Sequence, residues 1–89
     1  MNIAERVSKV VARHFGTPKV SGLAHISDFP EADSLDLLEL VMEIEDEFDE
    51  MIFDLSHDTR ITMEITVDGI SAIVKEKLDE RNKYRSIEN

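Results

Sequence analysis

The chain has 89 residues, 42% of them hydrophobic, which suffices for one small domain with a modest core and leaves no room for a second. Twenty Asp and Glu against ten Lys and Arg give a formal charge of −10, a balance that repels phosphate backbones and anionic lipid and argues against nucleic-acid and membrane partners. With no cysteine, disulfides, thiolate metal sites and thiol catalysis by the chain itself are excluded, and a reducing, cytoplasmic setting is expected. No apolar run approaches the ~18 residues that span a bilayer, and the N-terminal MNIAERVSKVVARHF lacks the continuous apolar stretch of a secretory signal.

From Ile3 to Phe15, apolar residues at Ile3, Val7, Val10, Val11 and His14 or Phe15 keep helical spacing. Asn2 is a candidate N-cap and Gly16 a C-terminal stop. Residues 16–33 are punctuated by Gly16, Pro18, Gly22 and Pro30 and hold no period, so they read as a long loop. Val20, Leu23, Ile26 and Phe29 recur every third residue and are expected to pin that loop to the core, with room for a short 3₁₀ turn.

The strongest pattern runs from Ser34 to about Glu50. Leu37, Leu40, Val41, Ile44 and Phe48 share one helix face, and Leu35 is expected to join them at the entrance. Asp33 or Ser34 can cap this helix. Leu38 and Met42, four apart, fall outside the stripe and form a second apolar pair among acids. Through residues 49–66 the pattern loosens, and a short extended piece (RITMEIT alternates) competes with a short irregular helix. A last helix is predicted from about Val67 to Arg81, with Thr66 as cap and Ile70, Ile73, Val74 and Leu78 on its apolar stripe. The ordered core is thus expected over about residues 2–81 of a single domain spanning 1–89, with 82–89 frayed. The fold class is all-α: a small antiparallel three- to four-helix bundle with a long loop between the first and second helices.

Charge is concentrated in the middle. Between Lys19 and Arg60 lie thirteen acids and no base, while the flanks together carry a net +3. Such a segment steers basic partners towards itself, although a solvated acidic helix that merely keeps a protein in solution is equally ordinary.

Few chemistries are on offer. His14, His25 and His57 have no ligand partner at the spacing that sets two on one helix face, and the acids of residues 46–58 lack the glycine of a calcium loop, so no metal site is expected. There is no glycine-rich phosphate cradle and no nucleophile elbow. No catalytic residue is assigned, and the chain is not expected to be an enzyme. Ser34 alone is placed for chemistry, where a long loop meets a helix whose N-terminal dipole favours an attached phosphate. A serine so placed is, taken alone, most often only a cap.

Its surroundings change that weighting. ADSLDLLELVMEIEDEFD, with Asp33, Ser34, Leu35, Asp36, Glu39, Leu40, Val41, Met42, Glu45, Asp46, Glu47 and Phe48, resembles the modification site and second helix of acyl carrier proteins. IAERVSKVVARHFG before it and TVDGISAIV after it extend the resemblance over nearly the whole domain. The resemblance implies that Ser34 accepts a 4′-phosphopantetheine arm from coenzyme A, whose terminal thiol carries acyl groups as thioesters. Asp33 and Leu35 would help a phosphopantetheinyl transferase recognise the site. Asp36, Leu38, Glu39, Met42, Glu45 and Asp46 would dock acyl-transferring or condensing enzymes with basic patches, and Leu40, Ile44, Phe48, Ile52 and Ile70 would line an acyl cavity. The carrier would be a monomer. Fatty or polyketide-type cargo is favoured, because Ala32-Asp33-Ser34 does not match the Gly-Gly-x-Ser site of peptidyl carriers.

Three departures stand out. The usual Asp-Leu-Gly before the serine is Phe29-Pro30-Glu31 here, the Ile-Pro-Asp that commonly follows the second helix is Ile52-Phe53-Asp54, and the segment before the last helix is about four residues longer than in typical members, which points to a dedicated rather than a housekeeping carrier. The alternative is an unmodified acidic interaction module in which Ser34 serves only as a helix N-cap.

Overall fold

Helical spacing of valines folds the N-terminal segment into α1, Ile3–Phe15, in a computed structural model that describes residues 2–48 and 55–88. Asn2 caps it, its Oδ1 accepting a hydrogen bond from the Glu5 N–H at 2.8 Å. Gly16, at φ +67°, ends it in the left-handed conformation that glycine adopts without a Cβ clash. There the Gly16 N–H donates to the Arg13 carbonyl and the Thr17 N–H to the Ala12 carbonyl, satisfying two carbonyls the helix leaves open.

The second helix, α2, spans Ser34–Phe48 and the third, α3, Val67–Glu88. With a 3₁₀ turn at Ile26–Asp28, these make an all-helical bundle; among the described residues there is no strand. No described helix is long and apolar enough to cross a membrane. Val7, Val10 and Val11 of α1 meet Leu40, Val41 and Ile44 of α2 and Ile70 and Val74 of α3, with Ile26 and Leu55 closing the core from the connections. Burial of these side chains contributes about 1.5–3 kcal/mol each relative to exposure.

Two polar clamps fix α1 and α2 antiparallel. Near the start of α1, Arg6 donates to the Glu47 carboxylate at 3.2 Å and the Glu47 carbonyl at 2.7 Å, and its guanidinium lies 4.3 Å from the Phe48 ring centroid. At the other end, His14 lies between Asp36 and Glu43.

The connections depart from the sequence reading in instructive ways. Ile26 is fully buried and Val20 and Phe29 pack against the core, but Leu23 is 78% exposed. Its N–H donates to the Ser21 hydroxyl in a turn that points the side chain outward, and Ala24 packs against the core next to it. Leu35, expected at the core entrance, is 59% exposed and lies on the outer face of α2 instead. Residues 61–66 form no helix: Met63 and Glu64 make a turn, closed by the Ile65 N–H donating to the Thr62 carbonyl at 3.1 Å. Ile61, Met63 and Ile65 face the core at alternate positions, and the segment pairs with the loop through Ile26 N–H to Ile65 O, Ser27 N–H to Met63 O and an antiparallel bridge of His25 with Thr66. Met51 to Asp54 lie outside the described residues.

Thr66 caps α3 as expected, its Oγ1 accepting from the Gly69 N–H at 2.9 Å. The helix continues to Glu88, past the expected end at Arg81, since no Gly or Pro follows Gly69 to stop it.

An ion network fastens the connection before α3 to that helix. Arg60 pairs with Asp58 at 2.7 Å and Glu76 at 2.5 Å, and Lys77 reaches Asp58 at 3.3 Å. Bonding by Arg60 first, then Lys77, holds the Asp58 carboxyl far below the usual carboxylate range. Asp58→Asn should therefore cost about 1.5–3 kcal/mol at neutral pH, the range for hydrogen bonds to charged groups. Urea melts would measure it, with the deficit disappearing in strong acid, where the wild-type carboxylate is lost as well.

Candidate functional site

The site is built at the entrance to α2. Asp33 is the N-cap: its Oδ1 accepts from the N–H groups of Leu35 at 3.0 Å and Asp36 at 3.1 Å. Asp36 answers, its Oδ2 accepting from the Asp33 N–H at 3.0 Å, a reciprocal arrangement equivalent to a capping box. Of the two caps the sequence allowed, Asp33 is the one used. Ser34 becomes the first helical residue, exposed to solvent, and its hydroxyl makes no hydrogen bond among the described residues.

A nucleophilic oxygen thus stands at the positive end of a fifteen-residue helix with no structural duty of its own. The chain reaches it through Glu31, which holds φ +62° just before the helix. Glu31 thus takes the left-handed conformation that glycine adopts freely and that costs a residue with a Cβ. The turn is held by the Ala32 N–H donating to the Phe29 carbonyl at 3.2 Å, and by Phe29 stacking on Phe15 with ring centroids 4.2 Å apart. Glu31→Gly should relieve this strain and stabilise the domain by up to about 1 kcal/mol, seen as a raised denaturation midpoint at unchanged slope.

Beside Ser34 lies a half-open groove of about 130 Å³. Leu37, Leu38 and Val41 of α2 form one wall, and Ser56, Asp58 and Ile61 of the following connection form the other. The groove is of the size that admits a small apolar group. The residues assigned to an acyl cavity sit elsewhere: Leu40, Ile44 and Ile70 are fully buried in the core and Phe48 nearly so, and Ile52 lies outside the described residues.

The six docking candidates divide into two sets. Leu38, Glu39, Met42 and Asp46 are exposed and, with Leu35, form a continuous stripe along the outer face of α2. Asp36 and Glu45 turn inward, Asp36 to Asp33 and His14, Glu45 to the Leu55 N–H at 2.8 Å. The outer face is therefore apolar at Leu35, Leu38 and Met42 and rimmed by Glu39 and Asp46.

His14 is the participant that sequence reading missed. Its ring, 9% exposed, contacts Glu43 Oε2 through Nδ1 at 2.5 Å and Asp36 Oδ1 through Nε2 at 3.2 Å. Burial opposes protonation of the ring, but the bonds to Glu43 and Asp36 outweigh it and set the pKa above the usual 6.5. Asp36 is pushed the other way, below the carboxylate range, first by the Asp33 N–H and then by His14. Among the described residues no cluster of three or more His, Cys, Asp or Glu is arranged to hold a metal ion.

No protein-family model matches the chain, and no solved structure matches it significantly.

Proposed function

We propose that the chain is a carrier of acyl intermediates, held as thioesters on a 4′-phosphopantetheine arm attached to Ser34 and delivered to partner enzymes of fatty-acid, lipid or polyketide-type synthesis. The observation that carries this reading is the division of labour between Asp33 and Ser34. Asp33 caps α2, and the Ser34 hydroxyl is left exposed and unbonded at the helix N-terminus. The alternative, an unmodified module with Ser34 as a cap, needs the serine for a duty that Asp33 performs.

The residues around Ser34 fit such an arm. Ser34 Oγ would bear the phosphodiester, in the favourable field of the α2 N-terminus. Leu37, Leu38, Val41 and Ile61 would bed its apolar parts in the groove. When attached, the arm supplies the thiol that a chain without cysteine lacks. The exposed stripe of Leu35, Leu38 and Met42, rimmed by Glu39 and Asp46, suits brief contacts with basic surfaces, because rim charges act mainly on encounter rate and specificity.

The test is intact-mass spectrometry after incubation with coenzyme A and a broad-specificity phosphopantetheinyl transferase. A gain of one phosphopantetheine mapped to Ser34 is expected. No gain across a panel of transferases would overturn the reading.

A further inference from the structure

We propose that His14 is a proton-operated latch on the Ser34 site: as imidazolium it draws Asp36 and Glu43 onto α1 and holds the α2 entrance in place, and as neutral imidazole it gives up one of the two carboxylates. Three observations meet here. The ring lies between two carboxylates seven residues apart on the same face of α2, with one ring nitrogen towards each. Both ring nitrogens can donate only when the imidazole is protonated, so the neutral ring can satisfy one carboxylate but not both. Asp36, in turn, is the carboxylate that accepts from the Asp33 N–H, so a change at His14 reaches the residue before Ser34 through one side chain.

The groups facing the ring are few. From α2 they are Asp36 and Glu43, and from α1 itself Phe15 lies edge-on at 4.8 Å between centroids. The connection before α2 brings Asp33, which reaches the ring only through Asp36, and among the described residues α3 contributes no charge that perturbs it. No described cation other than His14 pairs with Asp36 or Glu43.

The sign follows from linkage. A histidine whose folded pKa stands above its unfolded 6.5 contributes stability fully present below that value, and the contribution is lost as pH rises through the folded pKa. Across the same interval the ring loses its positive charge, so the α1–α2 junction becomes more negative by one unit, which favours encounter with a basic partner. Thus alkaline conditions loosen the α1–α2 junction and strengthen its attraction for partners. The consequence for docking rests on the carrier reading, whereas the titration itself can be followed on the unmodified full-length chain. A latch in a chain that is never modified, and a carrier without a latch, therefore give different results.

The experiment is an NMR pH titration of the full chain from pH 5 to pH 9, following the His14 ring, the Asp36 and Glu43 carboxyl carbons and the amides of Asp33 and Ser34. Wild type should show a His14 midpoint above 6.5, with the Asp33 and Ser34 amides moving at that same midpoint. In His14→Gln the amide transition should vanish, and in Glu43→Gln the His14 midpoint should fall. Melting temperature should drop through this interval in wild type and drop less steeply in His14→Gln. A midpoint at or below 6.5, amides silent at the His14 midpoint, or an equal melting-temperature slope in His14→Gln would each overturn the proposal.

Discussion

Ser34→Ala should abolish phosphopantetheine attachment completely and leave the fold nearly untouched. The two halves have different causes. Attachment needs an oxygen nucleophile at position 34, and alanine offers none. Stability does not need it: the capping bonds to the Leu35 and Asp36 amides come from Asp33, so the change is expected within about 0.5 kcal/mol, as for an exposed side chain without a partner. Asp33→Ala should show the reverse weighting. It removes the cap, costs about 1 kcal/mol, and leaves the hydroxyl in a frayed first turn that a transferase grips less well. Mass spectrometry and urea melts on the two variants read both quantities. If Ser34→Ala were the more destabilising of the pair, the hydroxyl would be the cap after all, and the interaction-module reading would gain the ground that the carrier reading lost.

What could be read in advance was what depends on near neighbours in sequence. Asn2, Gly16 and Thr66 act on amides and carbonyls within a few residues, and each does the task its chemistry suggests. The stripe of Leu40, Val41, Ile44 and Phe48 is a property of one helix and is buried as its spacing requires. What could not be read depends on where separate segments meet. Leu23 and Leu35 carry the hydrophobicity of core residues and lie exposed, one turned out by its own turn and the other on the outer face of α2. The alternation of residues 61–66 fitted an extended piece or an irregular helix; the segment is instead a turn at Met63–Glu64, held by backbone bonds to residues 24–27 that spacing alone does not show. His14 was legible as an α1 residue but not as a bridge, because nothing local says that position 14 comes to rest opposite positions 36 and 43. The onward run of α3 was the exception: the absence of any breaker after Gly69 was already visible and pointed past Arg81.

Ile44→Ala and Met42→Ala, two residues apart on one helix, should behave as different proteins. Ile44 is fully buried between α1 and α3, and truncating it removes three carbons' worth of contacts from a site that collapses only partly. The expected loss is about 2–5 kcal/mol. A domain of this size has a total stability of roughly 5–10 kcal/mol, so the variant should be marginal or partly unfolded at 37 °C. Met42 is 55% exposed on the outer stripe, and its truncation should change stability by less than about 0.5 kcal/mol. Its effect should appear instead when a partner covers the stripe, as slower modification of Ser34 at limiting transferase. Parallel denaturation curves and labelling rates separate the two readouts. Equal destabilisation by both variants would mean that the outer stripe is packed against the chain rather than offered to partners. A normal labelling rate for Met42→Ala would shift the weight of docking to the charged rim at Glu39 and Asp46, which should then show it as a strong dependence of the rate on ionic strength.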